Sequence, residues 1–180
     1  MKKLITITLI LAISVLSKSF ANEDNTNNEY FAGINFKKYN SFYWENGIQF
    51  KFHNIKNGFS IGTLYETTLL GSAISSNALE QHHFSVFVDK DFNIYRNIIY
   101  LNPRLNLGYF LVNYESEIFN YLNDNTLTIA PEVLLRMKLI SNFELDLSCG
   151  YNIIHGNGQN GLGSLYPIYF RFNFLYLITN

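Results

Sequence analysis

Polar and apolar residues alternate along most of this chain with a period of two. Residues 98 to 112 show it best. Ile99, Leu101, Pro103, Leu105, Leu107, Tyr109 and Leu111 share one parity, and Tyr100, Asn102, Arg104, Asn106 and Gly108 share the other. A helix would set Arg104 beside Leu101, Leu105 and Leu107, whereas a strand sends successive side chains to opposite faces, so the pattern predicts a strand. Further on, Leu127, Ile129, Val133, Leu135, Met137 and Leu139 oppose Thr126, Thr128, Glu132, Arg136 and Lys138. Phe143, Leu145, Leu147, Cys149, Tyr151 and Ile153 oppose Glu144, Asp146, Ser148, Gly150 and Asn152. In the last segment Ile168, Phe170, Phe172, Phe174, Tyr176 and Ile178 oppose Tyr169, Arg171 and Asn173.

The earlier half is less regular but follows the same rule. Ile48, Phe50 and Phe52 oppose Glu45, Gln49 and Lys51; Phe59, Ile61, Thr63, Tyr65 and Leu69 oppose Ser60, Gly62, Glu66 and Thr68. Strands are predicted over 29–38, 44–53, 59–71 and 82–89, which makes eight in all, an even number. The second, fourth and sixth connections (54–58, 89–96 and 140–142) are turns. The third, fifth and seventh (72–81, 113–125 and 156–164) tend to be longer, and the first, near Tyr39 to Tyr43, is a short exception. Such alternation fits an up-and-down barrel with both termini at the short-turn end. Pro103, Pro131 and Pro167 fall inside predicted strands, where each removes a ladder donor, so the strand limits around them stay open at this point.

Period alone leaves two exported barrels: a lipocalin-like carrier with an apolar lumen, or a membrane barrel with an apolar outside. The membrane arrangement is favoured on three grounds. The apolar parity persists over five to seven alternate positions, long enough for the ~25 Å band of a membrane barrel. Aromatic residues stand near strand ends on that parity: Tyr30, Trp44, Phe52, Phe59, Tyr109, Phe143, Tyr151 and Tyr176. The opposite parity carries both signs of charge, with Glu66, Arg104, Glu132, Arg136, Lys138, Glu144, Asp146 and Arg171 expected to pair across a lumen just wide enough for side chains.

The amino terminus changes the expected destination. Met1-Lys2-Lys3 is a positive start, Leu4 to Leu16 is an uncharged apolar run, and Ser19-Phe20-Ala21 offers small residues at −3 and −1 of a cleavage site. This predicts a signal peptide over 1–21 and an outer-membrane barrel over 22–180, a single domain. Lys2, Lys3 and Lys18 leave with the leader, so ten basic residues face fourteen acidic ones and the net charge is −4. There is no basic cluster to suggest a nucleic-acid partner. Cys149 is the sole cysteine, so no internal disulfide forms. Aromatic residues make up 17% of the chain although mean hydropathy is only +0.01, a combination that a lipid-facing barrel favours.

The leader, the eight alternating segments and the closing run Tyr166-Pro167-Ile168-Tyr169-Phe170-Arg171-Phe172-Asn173-Phe174-Leu175-Tyr176-Leu177 resemble the small bacterial outer-membrane barrels: the OmpA transmembrane domain, OmpX and the opacity-type surface proteins. The resemblance spans essentially all of 22–180 and is one of pattern. It implies an all-β, closed antiparallel up-and-down transmembrane barrel in the cell outer membrane. The implied role is structural or adhesin-like, without a cofactor or metal. The implied partners are outer-membrane lipid and lipopolysaccharide, the barrel-assembly machinery, and an extracellular ligand met through the outer loops. One departure is the end of the chain, where Tyr176 is followed by Leu177, Ile178, Thr179 and Asn180 instead of closing on a terminal aromatic.

Candidate chemistry is sparse. His82 and His83 follow Glu80, but adjacent strand residues point to opposite faces and converge poorly on one metal, so exposed strand-end histidines are expected. The Gly156–Gly161 stretch lacks the lysine and following helix of a phosphate-binding loop. Some small barrels are lipid A deacylases, with a His and a Ser two residues apart and an acid on the final strand. Here His155, the weak catalytic candidate, has Asn157 at that position; Ser164 lies nine residues on, and the last strand has no Asp or Glu. An imidazole with no hydroxyl to activate has no nucleophile. A palmitoyltransferase barrel would need an amphipathic helix before the first strand, and Asn22–Asn28 is merely polar.

Overall fold

Period-two segments become strands only when each finds neighbours for its backbone groups, and here every one does. The computed structural model describes residues 28–39, 44–54, 56–70, 79–114, 125–140, 142–154 and 167–179. They form β1 (Asn28–Tyr39), β2 (Trp44–Asn54), β3 (Phe59–Leu70), β4 (Leu79–Lys90), β5 (Phe92–Tyr95), β6 (Ile99–Tyr114), β7 (Asn125–Ile140), β8 (Phe143–Tyr151), β9 (Ile153–Ile154) and β10 (Ile168–Thr179). All pairings are antiparallel, and the sheet closes because β1 pairs β10 while β6 pairs β7. β5 continues the line of β4, and β9 that of β8, so the ten segments make the eight staves predicted. The expected strand limits hold to within a few residues, with β4 beginning three residues earlier than the predicted 82.

Asp89 to Arg96 is not a turn, contrary to the sequence reading. Asp89 faces Arg104 and Phe92 faces Leu101, the same alignment on both sides of Asp91, so the stave continues in register to Asn93 and slips by one residue before Tyr95, which faces Ile99. The chain reverses at Arg96 and Asn97, with φ of 46° and 56°, and the Ile98 N–H donates to the Tyr95 carbonyl at 2.8 Å. Two consecutive positive φ values are the mark of a type I′ turn, whose twist matches that of the strands it joins. The apolar run of this hairpin masks the turn, because neither Gly nor an Asn-Gly pair announces it.

The three prolines explain where the ladders break. The Lys138 N–H donates to the Ile98 carbonyl, so even-numbered residues of β6 and β7 turn their backbone groups towards each other and odd-numbered ones turn away. Pro103 therefore directs its donorless nitrogen at the β4–β5 stave, beside the gap at Asp91. Pro131 directs its own at the β8–β9 stave, beside the gap at Asn152. Pro167 sits opposite Asn152, whose N–H donates to the Pro167 carbonyl at 2.7 Å, just before β10 begins. Each proline costs one hydrogen bond without shifting the register of its stave.

Partners traced round the wall from Glu29 run through His53, Ser60, Asp89, Arg104, Glu132, Gly150 and Tyr169 and return to β1 at Tyr39. The path re-enters ten residues farther along the same strand (29 to 39), the stagger that tilts the staves about the barrel axis. Every residue on this path faces inward. Leu105 is 42% exposed and Phe172 41%, whereas Arg104 is 2% exposed and Arg171 1%. The wall is thus apolar outside and ionic within, the reverse of a lipocalin. Gly150 makes room in this lumen: a Cβ there would lie 2.3 Å from Cζ of Tyr169.

Candidate functional site

Charged side chains converge in the lumen in two clusters. The first lies towards the end of the barrel where the short connection Tyr39–Trp44 and the longer Leu70–Leu79, Tyr114–Asn125 and Ile154–Ile168 join the staves. Lys37 Nζ is its centre, 3.2 Å from Glu45 Oε2, 3.3 Å from Glu66 Oε2 and 3.2 Å from His83 Nδ1. Arg171 binds Glu66 through Nε and Nη2 at 2.9 and 3.1 Å and Glu132 through Nη1. The Tyr169 hydroxyl donates to Glu132 at 2.6 Å and the Tyr39 hydroxyl to Glu45 at 3.2 Å. The Lys37 ammonium also lies over the Tyr39 and Tyr169 rings, 4.8 and 4.6 Å from their centroids.

The second cluster lies towards the short-turn end. Arg104 donates from Nε and Nη2 to Asp89 Oδ2 at 2.9 and 2.7 Å. Arg136 reaches Asp91 at 2.6 Å, Asp146 at 3.1 Å and Asp89 at 3.3 Å. Lys51 pairs with Glu144. Lys138 is at the rim, with its side chain 31% exposed, 3.6 Å from Glu29 and 3.9 Å from Glu144. Arg104 approaches Glu132 at 3.9 Å and so links the two clusters. Charges sealed in a narrow space persist only with partners, since an isolated buried ion costs several kcal/mol. Between the clusters, Gln49 and Asn173 are buried amides with no hydrogen-bond partner among the described residues, as are the Ser85 and Ser148 hydroxyls.

Of the eight charges singled out in the sequence, seven are buried in these clusters and Lys138 is at the rim. Sequence reasoning misses Lys37, Glu45, Lys51, Asp89, Asp91 and also His53, whose Nε2 lies 3.8 Å from Asp91 Oδ2, as members. Glu45 and Lys51 already stand on the polar parity. Lys37 is masked by Lys38, whose neighbouring cation blurs the alternation, and the two aspartates by the apparent turn. His82 and His83 do point to opposite faces. His83, however, is not an exposed strand-end histidine: it is 3% exposed, faces the lumen and contacts Thr128 Oγ1 at 3.0 Å. His82 lies on the outer side near Tyr65 and Glu80. His155 and the glycine-rich 156–161 stretch lie outside the described residues.

Glu45, Glu66 and His83 offer ligand atoms within 4.8 Å of one another, a spacing a metal ion would accept. Lys37 already stands among all three, so the ammonium supplies the cation that this acidic nest needs.

The aromatic residues picked out near strand ends lie on the outer face. At the short-turn end, Tyr30 meets Phe52 (5.3 Å between centroids) and Phe143 meets Tyr176 (5.1 Å), each pair directly opposed across two staves. At the other end, Trp44, Tyr109 and Tyr151 are exposed, and Tyr65 meets Phe84 at 4.7 Å.

No protein-family model matches the chain, and no curated protein matches it in sequence. Its fold is similar to solved structures of several bacterial proteins. The N-terminal β-barrel domain of Pseudomonas aeruginosa OprF aligns with a TM-score of 0.57 at 11% identity, over 84% of this chain and 96% of that one. Outer membrane protein H (OprH) of P. aeruginosa aligns at 0.62 and 17% identity, over 83% and 99%. Ail, the attachment invasion locus protein of Yersinia pestis, crystallised with the heparin analogue sucrose octasulfate, aligns at 0.55 and 14% identity, over 84% and 97%. Closed, antiparallel and eight-staved, the chain has the fold of the small outer-membrane β-barrels.

Proposed function

We propose that this protein is an integral outer-membrane barrel whose lumen is a fixed ionic plug and whose role is structural or surface-adhesive, without catalysis. The observation that carries the reading is the inversion of the wall: leucine, isoleucine and phenylalanine outside, paired arginines and carboxylates inside. Only a surrounding hydrocarbon rewards that arrangement, because in water an exposed apolar wall of this extent drives association. The two sets of outward aromatics suit the two interfaces of a bilayer. Export by a cleaved leader over 1–21, assembly by the outer-membrane insertion machinery and contact with lipopolysaccharide belong to the same reading.

The segments 40–43, 71–78, 115–124 and 155–166 contain no Lys or Arg, while Glu115, Glu117 and Asp124 are acidic. Surface contacts made there therefore suit uncharged or cationic partners, in contrast to the sulfated ligand seen with Ail. The test is mobility of the detergent-folded protein with and without boiling, together with detergent dependence of extraction. A compact unboiled form that needs detergent supports the reading. Co-migration, or release by salt alone, overturns it. Replacing 115–124 by a short Gly-Ser linker is expected to leave the folded form intact and reduce host-cell attachment.

A further inference from the structure

The outer wall is not uniform. Phe59, Val88, Pro103, Leu105 and Pro131 line a shallow external groove of about 260 Å³ that crosses neighbouring staves. Its floor is low where the two compact proline rings stand among longer side chains. Its lining is almost wholly apolar, and at its short-turn end stands Lys90. The Lys90 ammonium lies 4.2 Å from the Phe59 ring centroid and donates to the Asn57 carbonyl. That contact draws it out of the groove towards the turn that also carries the exposed Lys56. The nearest acids are turned away: Asp89 and Asp91 are directed inward onto Arg104 and Arg136. Asp89 and Arg104 also border the groove, but the Asp89 carboxylate is buried against Arg104 and Arg136, so Lys90 presents the accessible charge at the mouth.

We propose that this groove seats one acyl chain of an anionic phospholipid, with its headgroup phosphate on Lys90. The proposal rests on the membrane reading above. An apolar channel ending at a lysine matches a lipid tail ending at a phosphate, and a lysine that lays its stem along apolar wall reaches the headgroup level. The short-turn end faces the leaflet on the side of the chain termini, and the groove opens towards that leaflet.

The test uses the folded full chain in phosphatidylcholine bilayers, carrying Trp44→Phe and Phe59→Trp. This background leaves a single indole, and it keeps an aromatic ring under Lys90. Quenching of that indole by brominated phosphatidylglycerol is compared with quenching by brominated phosphatidylcholine at equal mole fraction. The anionic lipid is expected to be favoured about fivefold, the preference one lysine near an anionic headgroup confers. Lys90→Gln, checked for unchanged heat-modifiable mobility, is expected to bring the ratio close to one. Equal quenching by both lipids with Lys90 in place, or a preference that survives Lys90→Gln, overturns the phospholipid site and leaves the barrel reading standing. Absence of quenching by either lipid overturns both.

Discussion

Arg171 grips Glu66 with two parallel hydrogen bonds, Nε to Oε1 at 2.9 Å and Nη2 to Oε2 at 3.1 Å, although 105 positions separate them in the chain. β10 and β3 are three staves apart, so the pair is a tie across the lumen. Arg171→Met leaves three buried carboxylates, Glu45, Glu66 and Glu132, around Lys37, with Arg104 only at 3.9 Å from Glu132. The expected loss is about 3–5 kcal/mol, read as a lower urea midpoint for the folded gel form. Adding Glu66→Gln and Glu132→Gln removes the excess negative charge and is expected to restore much of that loss. No recovery in the triple variant would mean that the carboxylates are not the source of the penalty.

Leu105 and Asn106 are adjacent but face opposite sides of the wall. Leu105→Arg is expected to destabilise the bilayer-inserted protein by about 2–4 kcal/mol, the cost of a guanidinium near the middle of the apolar band. Leu105→Met should be close to neutral. Urea titration in vesicles measures both. An arginine tolerated at 105 as well as a methionine would be incompatible with lipid outside.

Pro103 leaves one acceptor on the β4–β5 stave without its donor. Pro103→Val restores an N–H at that position and joins β4 to β5. The expected gain is up to about 1 kcal/mol, with a slowly exchanging amide at residue 103. Amide hydrogen exchange reads this directly, and a fast-exchanging amide there would refute the assigned direction of the backbone.

Gly150 is opposite Tyr169, whose Cζ would lie 2.3 Å from an added Cβ. Gly150→Ala is expected to cost about 1–3 kcal/mol by forcing the ring off its place and loosening its bond to Glu132. Gly150→Ala combined with Tyr169→Leu should cost less than the two single changes together, as residues in contact do. Urea midpoints of the three variants measure the difference, and strict additivity would mean that the ring and the glycine are not in contact.

The pattern of residues makes the staves and the two faces legible, because a membrane barrel writes its fold as period two and little else. Arg104, Arg136 and Arg171 can be assigned to the inside from their neighbours alone. Their partners cannot. Which acid meets which base depends on the stagger between staves, and a stagger is set by all the pairings at once. His83 shows the limit: opposite faces for His82 and His83 follow from adjacency, but which of the two enters the lumen does not, and His83 ends in the first cluster beside Lys37. The β5 extension is hidden for a different reason. Pro103 interrupts the ladder on one side only, so the chain continues straight where the local pattern falters.

The ten-residue return from Glu29 to Tyr39 fixes the bore. Stave number and stagger together determine the circumference, and both are held by backbone hydrogen bonds that no side chain contributes to. Evolution of this chain towards conductance or ligand capture would therefore have to proceed by subtraction, trading Arg136 or Tyr169 for something smaller inside a cylinder of constant width. Any such vacancy would expose the ionic partner left behind, so openings in a tube of this kind must be made in matched sets.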